Sequence, residues 1–138
     1  VERFVHEQLV WDTGKSAYLG SMHAKEKESD RYEFEKVDLY PAFLRHHRES
    51  GGDLRKMMSK HNFSAILMSY LLYELDLKDK LKIDEGKLLR PVDERTGSKG
   101  QRSDIRFHDI VLRSSNPTRY KAEYPSLDDF ARGLLYGE

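Results

Sequence analysis

The chain has 138 residues, with 24 Lys and Arg against 24 Asp and Glu and no Cys. This length fits one domain and buries enough surface to fold without a disulfide or metal staple. The missing Cys excludes thiolate chemistry and thiolate metal sites. Charged residues make up 35% of the chain, so the apolar core must be concentrated in a few segments. The first residue is Val1 and not Met, so an excised domain or a processed product is expected.

Neutrality is an average over a polarised chain. Residues 1–40 sum to −3, 41–85 to +1, 86–121 to +5 and 122–138 to −3.

In chain order, Phe4 to Trp11 fits either a helix or a strand. Lys15 to Lys27 places Tyr18, Leu19, Met22 and His23 at helical spacing and predicts a short helix. Tyr32 to Tyr40 alternates weakly, as a strand does. Pro41 suits the first turn of a helix ending near Ser50, with Phe43 and Leu44 inward. Asp53 follows the Gly51-Gly52 break and can cap a helix from Leu54.

The clearest element is a helix over about Asn62–Leu77. Its apolar residues extend nearly all round it, which predicts a buried, central helix. Its longest apolar run, Ala65 to Leu77, is broken by Ser69, Glu74 and Asp76, so it falls short of the ~18 continuous apolar residues of a membrane span.

A small antiparallel sheet is expected over about Leu81–Arg113. The best strand places Ile105, Phe107, Asp109 and Val111 on one face. Asp93 to Ser103 reads as a long hairpin loop, and Ser114 to Pro125 as turns. Ser126 with Asp129 forms a capping box for a C-terminal helix to Tyr136. The expected fold is therefore α+β, predominantly helical with a small sheet.

The first functional reading is a non-enzymatic macromolecular interaction domain with a basic hairpin for nucleic acid or another polyanion. Arg90, Arg95, Lys99, Arg102, Arg106 and Arg113 would track a phosphate backbone, extended by Arg45, Arg48, Lys56 and Lys60. The alternative is a protein-binding or oligomerisation domain using Tyr73, Tyr120, Tyr124 and Tyr136, because tyrosine joins an apolar ring to a water-tolerant end.

The third reading is a small metal-dependent nuclease or other hydrolase. Glu85-Gly86-Lys87 has the Glu-x-Lys form of restriction-type nucleases, but Gly86 there reads as a turn. Gly14-Lys15-Ser16 matches the end of a phosphate loop, yet Leu9 stands where its first Gly belongs. The six histidines include no His-x-x-x-His pair, so no catalytic residue, metal or cofactor is expected. With no Cys and no signal segment, the expected location is intracellular.

Overall fold

A computed structural model describes residues 1–20, 38–51, 58–89 and 101–135. Among these, helix α1 (Glu2–Gln8) runs into strand β1 (Leu9–Tyr18). Helix α2 (Leu39–Glu49) and helix α3 (Lys60–Ser69) follow, and α3 continues into a π-helical turn at Tyr70–Glu74. Strands β2 (Ile83–Leu89) and β3 (Gln101–Leu112) form a hairpin, and helix α4 (Leu127–Leu135) closes the described chain. The fold is α+β. No helix among the described residues is long and apolar enough to cross a membrane.

The sheet is antiparallel, in the order β1-β3-β2. Strand β1 lies outside the expected sheet span, and Lys15–Tyr18 are strand where helical spacing predicted a helix. The local period lost to pairing with β3, where Ala17 opposes Phe107 and both are buried. Residues 21–27 of that expected helix, 32–37 of the weak strand, and the helix expected after Asp53 up to Met57 lie outside the described residues. Leu39 and Tyr40 are helical, and Pro41 sits in the first turn of α2, where its missing N–H costs nothing.

A bulge decides which side chains enter the core. Trp11 pairs with Ile110 and Ser16 with His108, so Asp12 to Lys15 face Asp109 alone. Gly14 and Asp109 take positive φ values of +88° and +66°, and the Gly14 N–H donates to Asp109 Oδ1 at 2.9 Å. The extra residues reverse the alternation along β3. Phe107, Ile110 and Leu112 therefore enter the main core, and the predicted face of Phe107, Asp109 and Val111 is broken. Val111 turns to the other side and joins Val10 and Tyr120 in a second small cluster.

The main core gathers Phe4 and Val5 from α1, Leu39 and Phe43 from α2, Phe63 and Leu67 from α3, and Leu127 and Ala131 from α4. Phe43 stacks on Phe63 with centroids 4.4 Å apart, and Phe4 meets both edge-on. Trp11 stacks on Phe130 at 5.0 Å, which fixes α4 against β1, and Lys80 Nζ lies 5.8 Å from each of the two ring centroids.

Two further expectations change here. Gly86 pairs with Asp104 inside the β2–β3 ladder and forms no turn. Strand β3 begins at Gln101, so Gln101–Ser103 belong to the sheet, and residues 93–100 of the expected loop lie outside the described residues.

Candidate functional site

The expected central helix forms, but only one of its faces is buried. Ser59 caps α3, its side chain accepting the Asn62 N–H at 3.2 Å. Phe63, Leu67, Leu71 and Leu75 recur at intervals of four and are buried. Ile66 is 46% exposed and Tyr73 is 71% exposed. Apolar character all round the helix thus reflects a core face and a second, solvent-facing apolar face. Residues 61–73 contain no Asp, Glu, Lys or Arg.

Beside this face lies a groove of about 340 Å³, lined by Val1, Ala65, Ile66, Ser69 and Tyr70 and edged by Glu2 and Glu74. A second hollow of about 220 Å³ shares Glu2, Tyr70 and Glu74 and reaches Leu75 and Arg132. Burial pushes the Tyr70 hydroxyl pKa up, and the nearby Asp128 and Glu2 charges add to this. The π-helical turn carries Tyr70 and Glu74, a distortion that is frequent at functional sites.

The sheet presents a polar face. Arg106 Nε donates to Ser16 Oγ at 3.0 Å, and its guanidinium lies 6.0 Å from the Tyr18 ring centroid. His108 Nε2 lies 2.6 Å from Asp84 Oδ2, and that hydrogen bond holds the Asp84 carboxyl below its usual range. Asp84 and Glu85 are neighbours on a strand, so they project to opposite faces.

Of the other basic residues, Arg113 and Arg45 are engaged within the chain. Arg113 donates to the carbonyls of Tyr120, Lys121 and Tyr124 at 3.1, 2.5 and 2.9 Å. Arg45 pairs with Glu49 within α2, Arg48 lies exposed on the same helix, and Lys60 opens α3. Arg102 stands in β3 opposite Leu88. Arg90, Arg95, Lys99 and Lys56 lie outside the described residues.

The tyrosines divide similarly. Tyr73 is open to solvent. Tyr120 is 3% exposed and donates its hydroxyl to Asp12 Oδ2 at 2.6 Å, so it offers a partner no surface. Half-buried Tyr124 donates to the Trp11 carbonyl at 3.0 Å and packs edge-on against Tyr120. Tyr136 lies outside the described residues. The sequence reading missed Asp12, which also accepts from Arg119 at 2.9 Å, and Ile66 as an exposed residue. Asp12 sits next to a bulge that no local pattern announces.

Among the described residues, one cluster could hold a cation. His6 Nδ1 and the carboxylates of Asp128 and Asp129 offer donor atoms within 4.8 Å of one another. The same contacts close a helix N-terminus. Ser126 Oγ lies 2.5 Å from Asp128 Oδ1 and 2.9 Å from Asp129 Oδ2, and His6 Nδ1 lies 2.9 Å from Asp128 Oδ2. Acidic groups at a helix start are stabilised without any metal. A Ser-His-Asp relay also fails here. Ser126 approaches His6 at 3.5 Å on Nδ1, the nitrogen already facing Asp128, whereas a relay needs the two on opposite nitrogens.

Set against known proteins, the chain matches no family model, no curated protein and no solved structure.

Proposed function

We propose that this chain binds another protein through the solvent-facing side of α3 and its π-helical turn. The observation that carries this reading is the exposure of Ile66 and Tyr73 within thirteen consecutive uncharged residues, 61–73, of a chain that is 35% charged. Exposed apolar surface that is locally contiguous and rimmed by polar groups marks an interaction site. The test is a photocrosslinking side chain at position 73, with a control at the exposed Lys121. The reading requires a discrete product from position 73 that disappears in Ile66→Glu. Equal crosslinking from both positions overturns it.

A second reading rests on Arg106. Its guanidinium lies beside Ser16 and Tyr18 on the polar face of the sheet, in the strand that also carries Arg102. Arginine beside an aromatic ring suits a phosphate backbone with a stacked base. Anisotropy of labelled single-stranded DNA and RNA at low salt tests it. Binding should fall with added salt and in Arg102→Glu with Arg106→Glu. No binding at low salt removes it.

A further inference from the structure

We infer that the groove between α1 and α3 receives a helical partner segment in which aliphatic side chains are flanked by Lys or Arg. This rests on the protein-binding reading above and names the partner's chemistry. The groove has an apolar wall, Ala65, Ile66 and the Tyr70 ring, with Val1 across from it. Its volume of about 340 Å³ exceeds what one aliphatic side chain fills.

The edges supply the sign of the charge. Glu2 and Glu74 come from different elements, α1 and the π-helical turn, and both line the groove and the adjoining hollow. Among the described residues neither carboxylate takes part in a hydrogen bond or ion pair. Of the two bases lining this region, Arg132 is drawn 3.7 Å from Asp128, which leaves the Val1 amino terminus against two open carboxylates. The open charge around the apolar floor is therefore negative. An amphipathic helix laid into a groove anchors through apolar side chains at i, i+3, i+4 and i+7. Its flanking positions would lie over the two glutamates, where Lys or Arg gains and Asp or Glu is repelled.

Two labelled synthetic peptides test the inference by fluorescence anisotropy. One is an amphipathic helix of Leu and Lys, and the other has the same pattern in Leu and Glu. The Leu/Lys peptide should bind and the Leu/Glu peptide should not. Ile66→Glu should weaken binding at least tenfold, with far-UV circular dichroism confirming that the exposed substitution leaves the fold intact. Glu2→Lys with Glu74→Lys should weaken it by about tenfold, two rim charges each contributing a few-fold. The distant reversal Asp79→Lys with Glu123→Lys should leave it unchanged.

Equal weakening by the groove and distant reversals overturns the inference, because bulk charge would then explain the binding. If both peptides bind alike and Ile66→Glu abolishes both, the face docks partners but the cationic preference falls. If neither peptide binds, the inference falls, and crosslinking from position 73 still decides the broader reading.

Discussion

Asp12 and Tyr120 show what one buried polar contact does in this molecule. The Asp12 carboxylate is nearly enclosed, and it accepts from the Tyr120 hydroxyl and from Arg119. Burial and the bond to Asp12 push the Tyr120 hydroxyl up to about 12. Tyr120→Phe keeps the ring and deletes the donor, leaving a buried carboxylate short of a partner. The expected cost is about 1–3 kcal/mol, read as a lower urea midpoint. An alkaline ultraviolet titration of the variant should also lose the step near 12. Glycines provide a second contrast at this scale. Gly14 and Gly20 both have positive φ, but a Cβ on Gly14 meets nothing, whereas one on Gly20 would lie 2.6 Å from Asp38 Cβ. Gly14→Ala should cost about 1–2 kcal/mol from backbone strain alone. Gly20→Ala should cost clearly more, and thermal melts of the two variants check the order.

At the scale of elements, α3 carries the main lesson about helices in a charged chain. Phe63 is fully buried between Phe4, Tyr40 and Phe43, while Ile66 on the same helix is 46% exposed. Phe63→Ala should cost about 3–5 kcal/mol through lost burial and a cavity. Ile66→Ala should change stability by no more than about 0.5 kcal/mol, as surface substitutions do. Chemical denaturation of the two variants separates them. Equal losses would mean that the apolar outer face is core.

Sequence periodicity located this helix, α4 and the hairpin because each rests on local pattern and caps. It could not tell a core apolar face from an exposed one, since both read as the same residue types. Strand β1 was hidden for a different reason. Its ladder partner lies some ninety residues away, and the bulge at Asp109 cancels the alternation that marks a strand. Tyr120 read as a contact residue because its partner Asp12 is 108 positions distant. Arg113 belonged to the basic tract in sequence and to three carbonyls in the fold.

For the whole molecule, zero net charge resolves into opposed charges that partly meet. The basic residue Arg119 folds back onto Asp12 of the acidic first segment, and His6 of that segment meets Asp128 of the acidic last one. These contacts make stability depend on pH at both extremes. Hydrogen bonds from His46, Tyr120 and His108 hold Glu7, Asp12 and Asp84 below their usual carboxylate range. Burial pushes Asp128 the other way, and its bonds with Ser126 and His6 outweigh it, so it too is lowered. A lowered carboxylate means that the unfolded chain binds more protons, so unfolding free energy rises with pH in that window. The stabilisation is present above the unfolded values near 4 and is lost as pH falls through the folded ones.

The tyrosines run the opposite way. Tyr40, Tyr70 and Tyr120 are raised by burial, so their contribution is complete below about 10 and is lost as pH climbs through the folded values. Melting temperature should therefore fall as pH drops below about 4 and again as it rises above about 10. Salt distinguishes the acidic contributors. Glu7 is exposed and Asp84 borders solvent, so 1 M NaCl should screen their share. Asp12 and Asp128 are buried, and their share of the acid slope should survive high salt. Asp12→Asn, melted from pH 5 to pH 2 in 1 M NaCl, should flatten that remaining slope. An unchanged slope would mean that the acid sensitivity arises outside the Asp12–Arg119–Tyr120 contact.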